Sequence, residues 1–250
     1  MSVLSGQAMA LIHGCLYVFG GCRRITEDDY KFDADLHGLD LRGLSWSLLS
    51  DTEEQDPQEA ATRGMYRHGL AHHGTKIYLV GSSWKEMHPT AIYKKIHVYD
   101  LETRSWGLEE TIQSKDGYPQ RRQYHSYVQW QNEVYISGGH NRRVVFQDVW
   151  KLELPSLQWT LLSAELPVPS FFHSAAITAS KCMYVFGGVT SLENSLRTNN
   201  IFRLWLATPS LADLCLCRVL SLLPDRTNES IACLRALGIP KNVMDRLKHV

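Results

Sequence analysis

The chain of 250 residues is short of several things, and each absence narrows what it can be. It has no apolar run long enough to span a bilayer, so no membrane partner is expected. It has no charge imbalance: 26 basic residues meet 26 acidic ones, leaving no global field to draw nucleic acid or anionic lipid. The first 19 residues are apolar but lack a basic leader region and a small-residue cleavage site, so no signal peptide is read there. Six cysteines (Cys15, Cys22, Cys182, Cys215, Cys217, Cys233) form no C-x-x-C pair and no framework spacing. Reduced thiols in an intracellular protein are the expectation, with the cytoplasm and the nucleus as its places. There is no nucleophile elbow, no phosphate-binding glycine loop and no paired catalytic carboxylates, so no enzyme and no cofactor are expected. His68, His72 and His73 would suit a metal on a helix, but the segment reads as strand and turn, where such spacing separates them. The acidic connector at 51–59 reads as a solvated loop.

What is present is a repeat. Leu16-Tyr17-Val18-Phe19-Gly20-Gly21 returns as Met183-Tyr184-Val185-Phe186-Gly187-Gly188. Between them stand Glu133-Val134-Tyr135-Ile136-Ser137-Gly138-Gly139 and Lys76-Ile77-Tyr78-Leu79-Val80-Gly81-Ser82, the last without its second glycine. Spacings of 61, 57 and 49 residues between first glycines, with short apolar runs as the unit, point to propeller blades. Each run suits a strand buried on both faces. The glycines then supply backbone angles and close approach that a side chain forbids.

Taken in order, the repeats give four candidate blades at about 7–49, 66–109, 124–162 and 173–207. In the first, a strand to Ile12 turns at His13-Gly14 into the diglycine strand; third and fourth strands follow at 36–41 and 45–48, the last carrying Trp46. The second places the same parts at 66–72, 76–80, 96–101 and 105–108, with Trp106. The third places them at 124–128, 133–136, 149–154 and 157–161, with Trp159. The fourth runs from Pro169-Ser170-Phe171-Phe172-His173-Ser174 to a third strand at 201–206, where the strands stop. A helical period then takes over: Leu211, Cys215 and Val219 lie four apart, Thr208 can cap, Pro209 suits a first turn, and Pro224 ends the helix. A second helix is expected at 228–237, closed by Gly238, and a third from Pro240.

A diglycine after an apolar strand, followed by a tyrosine and a tryptophan at roughly fixed offsets, resembles the kelch repeat over about residues 7–206. The resemblance implies an all-β, kelch-type β-propeller at 1–207, each blade a four-stranded antiparallel sheet, followed by a short α-helical tail at 208–250. Its relatives close six blades, so four repeats are read as an incomplete ring of a shortened product; a small four-bladed ring is the alternative. The copper oxidases among kelch propellers need a crosslinked cysteine and histidine ligands, and no such set is identifiable.

The tail carries a second resemblance. Leu211, Cys215 and Val219 are similar to the elongin-binding box, and Ile239, Pro240, Val243 and Leu247 to the cullin-2 box that follows it. Kelch blades with these boxes look like the substrate receptors of cullin-2 ubiquitin ligases. That family implies elongin C, elongin B and cullin-2 with its RING subunit as partners, and client proteins bound through their C-terminal residues for ubiquitination and degradation. The alternative is a non-catalytic kelch scaffold, for example actin-associated, without ligase function.

The resemblance also implies a client site on the loop-bearing face, where arginine and hydroxyl groups hold a free carboxylate. Arg122, three before His125, matches the carboxylate-binding arginine, and Ser170 has the same offset from His173. Arg143 and Arg142, with His140 and Asn141, follow the Gly138-Gly139 pair and should reach that face. His125 and His173 read as structural histidines bonded to neighbouring blades.

Overall fold

The computed structural model describes residues 4–26, 30–51, 68–81, 91–222, 236 and 238. The acidic connector beyond Asp51, the second-helix segment apart from Ala236, and Ile239, Pro240, Val243 and Leu247 of the expected cullin box lie outside the described residues. The chain divides into two units, residues 1–206 without the turn Ala179–Lys181, and that turn with Ala207–Val250.

The first unit is four antiparallel sheets in chain order. Blade 1 is β1 (Ala8–Ile12), β2 (Cys15–Arg24), β3 (Tyr30–Asp40) and β4 (Ser45–Ser50). Blade 2 is β5 (Gly69–His73), β6 (Lys76–Val80), β7 (Lys95–Asp100) and β8 (Ser105–Glu110), with a short helix α1 (Ala91–Lys94) leading into β7. Blade 3 is β9 (Ser126–Trp130), β10 (Glu133–Ser137), β11 (Asp148–Glu153) and β12 (Gln158–Glu165). Blade 4 has three strands, β13 (Ser174–Ile177), β14 (Cys182–Phe186) and β15 (Ile201–Trp205).

Local chemistry sets the hairpins. His13 and Gly14 both take positive φ, +49° and +82°, the mirror-image turn whose twist matches the flanking strands. Each link from third to fourth strand ends in a left-handed residue, Leu44, Arg104 or Leu157. Asp40 and Asp100 open two of these links, their Oδ1 atoms accepting from Arg42 N and Glu102 N.

The diglycines have two separate reasons. At Gly138 (φ +59°) a Cβ would lie 2.2 Å from the Ser170 carbonyl oxygen and 2.8 Å from the His173 ring, so the first glycine admits the next blade. At Gly139 (φ +89°) it would lie 2.8 Å from the Gln123 carbonyl oxygen, so the second admits the segment ahead of its own blade's first strand.

Pleat alternation sends successive side chains of each second strand to opposite neighbours. Ile77 and Leu79 join Ala10, Ile12, Phe19 and Leu36 between blades 1 and 2. Tyr78 and Val80 join Val134, Ile136 and Trp159 between blades 2 and 3. Tyr135 joins Met183, Val185 and Leu204 between blades 3 and 4. Among the described residues four blades thus have three cores between them, an open arc; a closed four-bladed ring would need a fourth core. The inner strands β6 and β10 are buried on both faces as expected, whereas β14 alternates, with Tyr184 and Phe186 exposed.

The tryptophans fasten each blade to the one before it. Trp159 in blade 3 is buried, and its indole N–H donates to the Tyr93 carbonyl at 3.0 Å in blade 2. Trp106 in blade 2 donates to Ser50 Oγ at 2.8 Å in blade 1 and meets Phe19 edge-on, centroids 5.3 Å apart. Trp46 in blade 1 is 57% exposed.

In the second unit α2 (Leu211–Leu222) starts at the first residue of its apolar stripe, two residues after the expected Pro209. Its cap is Ser210, not Thr208: Ser210 Oγ accepts from Asp213 N at 3.1 Å, and donates to the Asp213 carboxylate. Gly238 takes φ +74°, the left-handed value common after a helix end.

Candidate functional site: a basic groove on the loop face

The segment ahead of β9 and the loop after Gly138-Gly139 are stitched together by Gln123 and His140, whose backbones exchange two hydrogen bonds of 2.8 and 3.0 Å. Between them lies a groove of about 260 Å³ lined by Arg121, Arg122, Gln123, His140, Asn141 and Arg142. Among the described residues no acidic side chain is in that lining.

Asn141 builds the loop. Its Oδ1 accepts from Arg143 N (3.1 Å) and Val144 N (2.9 Å), folding the chain so that Arg142 and Arg143 stand exposed. Arg142 takes φ +72°, sparsely populated for a residue with a side chain. Its N–H donates to His140 Nδ1 at 3.1 Å. Burial, and then the Arg142 charge, lower the His140 pKa. The imidazole is therefore neutral, with its proton on Nε2.

Beside the groove stands an aromatic step. Tyr124 and Phe172 occupy equivalent positions ahead of His125 and His173, both with positive φ of +57° and +60°. Their rings stack with centroids 4.2 Å apart, and Tyr124 also reaches His140 at 5.3 Å. Phe172 is 46% exposed, leaving an apolar surface next to the basic one.

Arg122 differs from its expected role. Its side chain is fully buried, with Nη1 and Nη2 on the two carboxylate oxygens of Asp148. Nη1 also donates to Gly138 O at 3.1 Å and Nε to Gln120 O at 3.0 Å, and the guanidinium lies 4.3 Å from the Phe146 ring centroid. A guanidinium so enclosed positions the loops and has its charge balanced within the chain. Ser170 is likewise internal: buried, its hydroxyl donates to Val168 O at 3.1 Å while its carbonyl accepts from Gly139 N at 2.8 Å. Arg142, Arg143, His140 and Asn141 do come together. Arg121, half-buried in the groove, was missed by sequence reasoning; extended alternation next to an inward Arg122 was the available signal.

The histidines ahead of the first strands are structural. His173 Nε2 lies 3.0 Å from Ser137 Oγ of blade 3, and the His125 ring fills the space a Cβ at Gly81 of blade 2 would take. Burial lowers His68 and His125 to about 3 and His173 to about 4.

On the helical unit, Leu211 is 76% exposed and Cys215 is also exposed, on the stripe expected to meet elongin C. Val219 lies on the same helix, four residues further along.

Blades of this strand order, diglycine geometry and tryptophan placement define a kelch propeller, and residues 6–210 match the model of the KLHDC2/KLHL20/DRC7 Kelch-repeats domain. The chain belongs to the kelch-repeat family, a class of interaction modules. It is 40% identical over 252 residues to human Kelch domain-containing protein 10, covering 99% of this chain and 54% of that protein. It is 31% identical to the Drosophila melanogaster homolog of that protein, over 97% of this chain and 41% of the relative. Mouse Kelch domain-containing protein 1 is 26% identical over 75% of the chain and 50% of its own length. The chain thus spans about half the length of these curated relatives.

Proposed function

We propose that this chain is the client-recognition subunit of a cullin-2–elongin B/C ubiquitin ligase, and that its basic groove binds the C-terminal residues of client proteins. The observation that carries the reading is the groove of Arg121, Arg142, His140 and Asn141, without an acidic wall among the described residues, next to the Tyr124–Phe172 step. A terminal carboxylate needs cationic donors, and the residues before it need a partly apolar floor. With Arg122 paired to Asp148, Arg142, Arg143 and Arg121 are the groups for that carboxylate. The exposed Leu211 and Cys215 support the elongin assignment, leucine entering an apolar pocket of elongin C. Ubiquitin transfer itself belongs to other subunits.

The test is a cellular stability screen in which reporters end in varied carboxy-terminal peptides and are co-expressed with the chain. A set of reporters should be destabilised only while their terminus is free, and protected when extra residues follow it. Reporter loss that ignores the free terminus would overturn the reading.

A further inference from the structure

The loop after Gly138-Gly139 holds its shape through two consecutive side chains that accept from the backbone ahead of them. Asn141 does so through Oδ1, a common habit of its residue type in turns. His140 does the same through Nδ1, which lies as many bonds from its Cα as an asparagine Oδ1 and takes the Arg142 N–H at 3.1 Å. That bond fastens Arg142 at φ +72°, a left-handed conformation that a side chain disfavours. A swing back to negative φ would turn the Arg142 Cα–Cβ bond and redirect the side chain relative to the groove it lines. The imidazole itself is buried, with the Phe171 ring edge-on at 4.6 Å and the Tyr124 ring at 5.3 Å.

We infer that His140 is a positioning residue of the client site: its unprotonated Nδ1 holds the Arg142 backbone so that the guanidinium meets the carboxylate, and a proton there releases it. The inference rests on the proposed reading of the groove as a carboxylate site. The surroundings favour the neutral ring. The segment ahead of β9 places Arg121 and Arg122 in the same groove and Tyr124 against the ring, Arg122 being already paired with Asp148. The segment ahead of β13 adds the apolar Phe171, and the loop itself adds Arg142 and Arg143. Among the described residues no carboxylate lines the groove to favour an imidazolium. A proton on Nδ1 would also set two donors against each other. Burial and the Arg142 charge lower the pKa from 6.5, so binding should weaken only as the pH falls below that value.

Acetate, the smallest carboxylate suited to the purpose, serves as the probe, with acetamide as the uncharged control. Both are titrated at constant ionic strength and followed by the backbone amide shifts of the groove. Two variants separate the roles. His140→Asn keeps an acceptor at the same distance along the side chain and cannot titrate; His140→Phe keeps an aromatic ring against Tyr124 and Phe171 and has no acceptor. At about pH 7.5 wild type and His140→Asn should bind acetate alike, and His140→Phe roughly fivefold more weakly, the worth of one hydrogen bond. At lower pH the wild-type affinity should fall in step with protonation of the ring, followed by its own nitrogen shifts, while that of His140→Asn stays constant. Acetate binding that strengthens with ring protonation, or equal binding by His140→Phe and wild type, overturns the inference. Acetate bound by none of the three fails the carboxylate reading instead, and solvent exchange of the Arg142 amide then decides the positioning role. Exchange should be fastest in His140→Phe; equal rates in all three chains overturn it.

Discussion

Arg122 and Asp148 face each other as a two-pronged ion pair beneath the loop face, 26 residues apart in the chain, the arginine fully buried and the carboxylate partly so. Asp148 also accepts from the Trp150 indole N–H at 2.6 Å. The pair thereby ties the segment ahead of β9 to the first residue of β11.

Removing the arginine leaves that carboxylate without its charge partner and Gly138 O and Gln120 O without their donor. Arg122→Ala should therefore cost about 3–5 kcal/mol of stability, read as a fall in the urea midpoint at unchanged slope. A variant as stable as wild type would show that the pair is not structural.

Acid should unfold the propeller through its histidines. His68 and His125 sit at about 3 and His173 at about 4 in the folded chain, against about 6.5 unfolded. The unfolded state thus binds more protons between these values, and stability falls as pH drops from about 6.5 towards 3. At pH 5 the loss is roughly 2 kcal/mol for each of His68 and His125. Denaturation midpoints measured from pH 7.5 to 5 check this, and His68→Phe should flatten the dependence. A flat wild-type profile would contradict it.

Close approach between blades is as strict. A Cβ at Gly69 would lie 2.1 Å from the Tyr127 ring of blade 3, so Gly69→Ala should destabilise by several kcal/mol, on the scale of core overpacking. Gly74→Ala, with open space but φ +58°, should cost about 1 kcal/mol. Thermal melts of the two variants give the comparison, and equal losses would refute the packing argument.

Much of this was legible in advance, and the exceptions share a cause. The apolar run and its glycines located β2, β6, β10 and β14 because period and turn chemistry are local. Third and fourth strands also fell close to place, but β3 begins at Tyr30 and not Leu36, since pairing resumes past the bulge between Phe19 and Gly21 and joins Arg24 to Tyr30. First strands begin late, at Gly69 and Ser126, and Tyr124 with φ +57° shows why the third cannot start at 124. Arg122 misled for a different reason: its partner stands 26 residues away, and an inward pair looks like a solvated loop charge until the sheets are assembled. Open ends were expected from four repeats read as an incomplete ring, but which residues stand uncovered was not, because Trp46 and Trp106 carry the same motif and differ in what covers them.

The exposed stripe of α2 predicts a separable partner site. Leu211→Asp puts a charge where an apolar pocket is proposed, and should abolish capture of elongins B and C while leaving the propeller's melting temperature unchanged, since the side chain is 76% exposed. Full capture by this variant would remove Leu211 from the interface.

The central claim is that the basic groove reads a carboxylate. Calorimetric titration of a client C-terminal peptide and its amide into wild type and Arg142→Ala/Arg143→Ala tests it directly. The acid should bind more tightly than the amide, and the double variant should cost the acid about 1–2 kcal/mol per lost charged contact while leaving the amide unchanged. Equal losses for acid and amide, or an acid bound no better than its amide by wild type, would contradict the account.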